Sequence, residues 1–339
     1  MRKSIFAVCD LEVSYACHFM EYMNQKKNTP FEFQAFTNVD SLCAYGESHP
    51  IEILLISDKA MCPRVEAISP GKIMILSEGV HSPGLDQYPS VYKYQSSDAV
   101  IREVMACYGD SSPEPLKVQV MKRRTAIIGV YSPLGRVLKT SFALTLGQIL
   151  AREQAVLYLN LEEYAGFEGL FERTYERNLG DLIYYLRQGN PNLVFKLNSM
   201  VQTINNLDYL PPVQSPGDIR STSYEEWTEL IRQIVENSAY EAVIIDFGDG
   251  VDGLYRLLDL CRRIYMPVLR DAMSQAKVLQ FEKLLSLWDC REVLRKTEKI
   301  TPPFHNYFGR GEEYVAQLMW SELGDYVREI LRGGKLYEE

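Results

Sequence analysis

Along most of the chain, short apolar runs alternate with longer segments of helical period. "SIFAVCD" (4–10), "FEFQAFTN" (31–38), "IEILLIS" (51–57), "KIMILSE" (72–78) and "VYKYQ" (91–95) read as strands, and "SYACHFMEYMNQK" between the first two reads as a helix. Buried strands separated by helices imply a parallel, doubly wound sheet. A second series starts near residue 122. "RTAIIGV" leads into the helical "KTSFALTLGQILAREQ", then come the strand "AVLYLNLEE" and the helix "NLGDLIYYLRQG", which ends at Gly189. "SYEEWTELIRQIVENS" opens with a capping box, Ser223 with Glu226 three residues on. "YEAVIIDFG" and "IYMPVL" are strands, "VDGLYRLLDLCRR" and "SQAKVLQFEKLLSLWD" helices, and 312–331 a single closing helix. Between the two series, "YGDSSPEPLK" is polar and carries two prolines, which discourages helix continuation. The expected architecture is α/β with two doubly wound parallel-sheet domains: 1–108, a linker at 109–120, and 121–339. No internal repeat is visible.

Length agrees, since 339 residues suggest about two domains. The composition is that of a globular chain, 46% hydrophobic and 24% charged. The net charge of -9 opposes general attraction to nucleic acid or anionic lipid. The seven cysteines form no C-x-x-C pair and the four histidines are isolated, which points to reduced thiols and no zinc site. The opening "MRKSIFAVCDLEV" is broken by Asp10 and Glu12 and is not expected to be a signal peptide. No apolar run reaches the roughly 20 residues of a membrane span. A cytoplasmic protein is expected.

The segment "GVYSPLGRVLKT" (129–140) sits between a strand and a helix and ends in Lys139-Thr140. Backbone N–H groups at a helix N-terminus, a lysine and a metal-binding hydroxyl are the parts of a phosphate-binding loop. The glycines of G-x-x-x-x-G-K-[ST] would fall at Pro133 and Leu138, so that pattern fails. The deviant motif K-G-G-x-G-K-[ST] of the MinD/ParA ATPases fits better. Gly135, Lys139 and Thr140 match it, while Leu134 replaces the signature lysine and Arg136 and Leu138 replace glycines. "LYLNLEEY" places Asn160 and Glu162 where that family carries its D-x-D acids. "VIIDFGDG" ends an apolar strand in Asp246, followed by Gly248 and Gly250, and Pro267 falls where the family packs on the base. Each residue also has a plain reading: Asp246 as a capping acid, Glu162 and Glu163 as a solvated pair, Arg136 as surface charge.

The second half thus resembles a MinD/ParA-like P-loop ATPase. The resemblance implies ATP and Mg²⁺ held by Leu134, Gly135, Arg136, Val137, Leu138, Lys139, Thr140 and Ser141 with Pro267. Thr140 and Asp246 would face the metal, and Glu162 any attacking water. Arg136 would take over the phosphate-binding role of the missing signature lysine. A glycine at 138 would adopt positive φ, which costs a leucine of order 1 kcal/mol. With Leu134 unable to reach a partner's nucleotide and Asn160 replacing an acid, hydrolysis is expected to be slow or absent.

The first half resembles a response-regulator receiver (flavodoxin-like). Asp10 and Glu12 follow its first strand, Ser57 occupies the phosphoacceptor position with Asp58 one residue late, Ser77 ends the fourth strand, and the fifth carries Lys93. A one-residue shift turns a strand side chain to the other face, so a pseudo-receiver is expected. A receiver-like domain ahead of an atypical ATPase resembles the TadZ/CpaE pilus-assembly family. That implies a homodimer at a cell pole that seats the Flp (tight adherence) pilus secretion machinery, including its secretion ATPase, with no nucleic acid bound and no membrane insertion. The closing helix, rich in acids along its polar face, argues against anionic lipid. A DNA-partitioning ParA ATPase and a phosphorylation-controlled switch remain as alternatives.

Overall fold

The computed structural model describes residues 4–26, 28, 31–79, 82–109, 125–304 and 309–333. The chain divides into two compact units. The first holds the residues up to 122 together with 190–199 and 237–239, and the second holds the remainder. Beyond Gly109, the expected linker at 109–120 lies outside the described residues.

In the first unit, strands β1 (Ser4–Cys9), β2 (Phe31–Phe36), β3 (Ile51–Ser57), β4 (Lys72–Ser77) and β5 (Ser90–Tyr92) pair in the order β2-β1-β3-β4-β5, all parallel. This is the flavodoxin-like doubly wound order. Side chains alternate between faces with period two. Phe6, Val8, Phe33, Ile53 and Leu55 pack with Phe19 and Met23 of the helix Val13–Gln25 and with Val100 and Val104 of the helix Ser97–Gly109. Ile5, Ala7, Cys9, Leu54 and Ile56 pack with Leu42 and Val65 on the other face. Both faces are covered, as a parallel sheet requires. The helix Ser97–Gly109 was not anticipated from the sequence. Neither was the helix Leu193–Met200, whose Phe195 meets the ring of Tyr108 edge-on at 5.2 Å.

In the second unit, β6 (Ala126–Val130), β7 (Val156–Leu161), β8 (Gln202–Ile204), β9 (Leu207–Tyr209), β10 (Ala242–Phe247), β11 (Arg263–Pro267) and β12 (Thr297–Ile300) form a sheet in the order β12-β11-β6-β10-β7-β9-β8. Every pairing is parallel except the β8–β9 hairpin. The hairpin and β12 were not read from the sequence, because such short strands leave little periodic signal. The capping box is present: the Ser223 N–H donates to Glu226 (2.9 Å) and the Glu226 N–H to Ser223 Oγ (3.2 Å).

Two expectations are corrected. The helix read from "VDGLYRLLDLCRR" is confined to Leu254–Leu260, because Gly253 enters it with φ +64 and Arg263 already belongs to β11. The closing helix is two helices, Gly311–Met319 and Glu322–Gly333. Ser321 makes the joint: its hydroxyl donates to the Leu318 carbonyl (2.7 Å) and accepts from the Leu323 N–H (3.2 Å). Gly324 lies so close to the Met319 carbonyl that a Cβ there has no room. An amphipathic period runs through such a corner unbroken, so the pattern alone hid it.

Candidate functional site

The register of the second sheet sets up the site. Asp246, near the end of β10, pairs with Val130 on β6 and with Asn160 on β7. The turn after β6 and the acids after β7 therefore converge at the carboxyl ends of the strands, where ligands bind in open α/β sheets. The turn is tied down by Ser132, whose hydroxyl donates to the Pro267 carbonyl (2.7 Å) and accepts from the Leu134 N–H (3.2 Å). Leu134 and Val137 are buried and pin the turn from below, whereas Gly135 and Arg136 are exposed. The next helix, Lys139–Ala151, starts at the Lys-Thr pair.

The turn keeps a glycine path without the glycines. Arg136 has φ +59 and Leu138 φ +61, and these are the two of the deviant motif's three glycine positions that lack glycine here. Left-handed backbone costs a side-chain-bearing residue roughly 1–2 kcal/mol. Strain of that size persists only where the surroundings over-determine it. Gly135, by contrast, has open space where a Cβ would stand and no positive φ. What the turn preserves is backbone shape, not residue type.

Lys139 Nζ donates to the Phe247 carbonyl and pairs with the Glu162 carboxylate, and it stands 3.7 Å from Asp246 Oδ1. Asp246 is fully buried. Its Oδ2 accepts from Thr140 Oγ1 (2.7 Å), Tyr158 OH (3.0 Å) and Asn160 Nδ2 (3.3 Å), while its Oδ1 has no hydrogen-bond partner. Burial pushes the Asp246 carboxyl above the usual carboxylate range, against the pull of Lys139 and the Thr140 hydrogen bond. Burial beside Asp246 likewise raises the Tyr158 phenol. Asn160 also accepts from the Glu162 N–H (2.9 Å), so one amide braces both acids. Gly248 permits the close approach, since a Cβ there would stand 2.6 Å from the Leu161 carbonyl. Ser141 turns aside, its hydroxyl 3.3 Å from that of Tyr314.

Lys139, Thr140, Glu162 and Asp246 thus share one cluster, with the turn 134–138 and Pro267 beside it. Tyr158 and the Phe247 carbonyl were not anticipated. Tyr158 had one weak signal: it stands two residues before Asn160 in the same strand and so shares its face. Past Glu162 the chain walls a cavity of ≈ 560 Å³ with Tyr164, Phe167, Tyr175 and Asn178. Among the described residues, no group of three or more His, Cys, Asp or Glu side chains forms a metal cage, and no helix is long and apolar enough to cross a membrane.

The first unit has a lysine cluster of its own. Lys93, just past β5, is buried with Asp10, 2.9 Å from Asp10 Oδ2 and 2.9 Å from Glu12 Oε2, and 4.7 Å from the ring centre of Tyr15. Burial pulls the Lys93 pKa down, but its hydrogen bonds to Asp10 and Glu12 outweigh that and the net shift is upward. Ser57 ends β3 and is buried, and Asp58 Oδ1 accepts the N–H of Lys59 (2.7 Å).

No protein-family model and no curated protein sequence matches the chain. Among solved structures, the chain is similar to a ParA family ATPase from Chlorobium tepidum TLS, at 18% identity over 60% of this chain and 98% of that one, with a TM-score of 0.49. It is similar to a putative plasmid partition protein from Borrelia burgdorferi B31 bound to AMPPNP, at 17% identity over 62% and 90%, with a TM-score of 0.41. A cobyrinic acid a,c-diamide synthase from Mycobacterium smegmatis with bound ADP and magnesium is similar at 14% identity over 61% and 93%, with a TM-score of 0.43.

Proposed function

We propose that the second unit, which makes up most of 121–339, is a MinD/ParA-like ATP-binding domain that holds nucleotide and Mg²⁺ with little or no hydrolysis. In this reading the chain acts as a nucleotide-dependent dimeric scaffold for a Flp pilus secretion system, as the resemblance to TadZ/CpaE implies, at a cell pole. Residues 1–108, the larger part of the first unit, form a pseudo-receiver used for docking, with 109–120 as the linker. The observation that carries the reading is the turn 131–138. It retains two left-handed residues where glycines are missing, and it delivers Lys139 and Thr140 to a buried aspartate.

The residues fit a nucleotide with Mg²⁺. The N–H groups of the turn and Lys139 hold the phosphates. Thr140 gives its hydrogen to Asp246 Oδ2 and so keeps its oxygen lone pairs free, while Asp246 Oδ1 is a buried carboxyl oxygen that accepts no hydrogen bond and has Lys139 at 3.7 Å. Both suit a divalent cation, which neutralises phosphate charge when bound. The same geometry supports weak hydrolysis. Phosphoryl transfer depends on positioning and added positive charge. Leu134 is buried and carries none, Asn160 is an amide, and the resting Glu162 is spent on Lys139.

Calorimetry with ATP and Mg²⁺ on the wild type and on Lys139→Ala tests the reading. Heat is expected from the wild type only. No heat from the wild type removes the nucleotide claim, and equal binding by both proteins moves the site elsewhere.

A further inference from the structure

Asp246 has two oxygens with opposite fates. Oδ2 accepts three hydrogen bonds and is saturated; Oδ1, in the same fully buried carboxylate, accepts none. Such an asymmetry needs a cause, because an orphaned buried acceptor costs of order 1–3 kcal/mol, and more when charged. A carboxylate free to rotate about its Cβ–Cγ bond would share its donors between both oxygens.

Tyr158 and Asn160 prevent that rotation. They lie two residues apart on β7 and face the same side of the sheet. Asn160 Nδ2 donates both to Tyr158 OH (2.9 Å) and to Asp246 Oδ2, and Tyr158 OH passes its own hydrogen to Oδ2. An aspartate at 160, the acid usual for the motif, could make neither donation when ionised. The amide is therefore a replacement with a task. The phenol is held in turn: its ring stacks on Phe167 at 5.9 Å, and the side chain is completely buried.

We infer that Tyr158, braced by Asn160, is a positioning residue for the cation: it fixes Asp246 so that Oδ1 alone is presented to a divalent metal accompanying the nucleotide. This rests on the nucleotide reading above and adds to it the atom that faces the metal and the side chain that aims it. Hydrogen-bond partners of metal-facing groups are typically worth 10–100-fold in metal affinity.

The test measures ATP affinity by titration calorimetry in MgCl₂ and again in EDTA, for the wild type, Tyr158→Phe and Phe167→Leu. Tyr158→Phe should weaken binding 10–100-fold in magnesium and leave the EDTA value unchanged, so the gain from magnesium collapses. Phe167→Leu disturbs the packing of the same ring but keeps the hydroxyl. It should lower the melting temperature while preserving the magnesium gain. If Tyr158→Phe weakens binding equally in both media, or in neither, the inference is wrong while the nucleotide reading stands. If the wild type binds no ATP in either medium, both fall. Should Tyr158→Phe fail to fold, Asn160→Ala removes the other donor and is judged by the same two affinities.

Discussion

Each sheet of this protein ends in a lysine among carboxylates, and the two clusters have been settled in opposite ways. Lys93 is closed: it is buried, 2.9 Å from both Asp10 and Glu12, and lies against the Tyr15 ring. Its charge is answered within the unit by two carboxylates at close range. Lys139 is open: it reaches Glu162 and a backbone carbonyl, stays partly exposed, and lies 3.7 Å from an aspartate oxygen that nothing else satisfies. The lesson is that a lysine and two acids at strand ends do not define a binding site. What separates the two is distance: Asp10 Oδ2 lies 2.9 Å from its lysine, whereas Asp246 Oδ1 lies 3.7 Å from Lys139 and accepts no hydrogen bond.

The sharpest way to break this comparison is to remove Lys93. Lys93→Met leaves Asp10 buried without its counter-charge, and breaking a buried pair typically costs about 3–5 kcal/mol. Urea unfolding should show a loss of that size. The same change at Lys139 should cost less than half as much, because Asp246 keeps its three donors. Equal losses would show that both clusters are structural.

The second prediction uses pH. The folded-state pKa of Asp246 is raised by burial, so the folded protein takes up its proton before the unfolded chain does. Lowering the pH through the raised value toward the unfolded value near 3.9 should therefore stabilise the ligand-free protein, by about 1.4 kcal/mol for each unit of displacement. Asp246→Asn should erase that gain. An unchanged pH profile in the variant would mean that the carboxylate is not the strained group.

Third, Leu138→Gly relieves the left-handed residue. The strain relieved, roughly 1–2 kcal/mol, is offset in part by about 0.5–1 kcal/mol of glycine entropy. A net gain of about 0.5–1 kcal/mol is expected, seen as a melting point a few degrees higher. A lower melting point would mean that the leucine's packing outweighs its strain. The smallest effect concerns Glu162, the resting partner of Lys139. Glu162→Gln should free the ammonium and tighten ATP binding about 2–5-fold, on the order of 0.5–1 kcal/mol. Weaker binding would instead give the carboxylate a direct part in holding the nucleotide complex.

Several features were legible from sequence because their causes are local. The alternation of apolar runs and helical segments announced both parallel sheets, since side-chain period reports strand or helix directly. The Ser223–Glu226 box marked a helix start through bonds that span three residues. Lys139 and Thr140 at a helix start, and Asp246 near a strand end, follow from the same reading. The positive φ at Leu138 was likewise implied by the glycine it replaces.

Other features were decided only when distant segments met. Asn160 looked like a lost acid and became a brace, because the register of β7 on β10 sets it opposite Asp246. Tyr158 looked like one more apolar strand residue until its hydroxyl found the same oxygen. Chain order puts residues 190–199 in the second domain, yet they belong to the first unit, through packing such as Phe195 on Tyr108. The corner at Ser321 broke a helix that the hydrophobic pattern ran straight through. Period, caps and turn chemistry act over a few residues and are written in the order of the chain. Which acid answers which lysine, and which oxygen stays bare, depends on strand register between segments some 90 residues apart, and no local pattern encodes that.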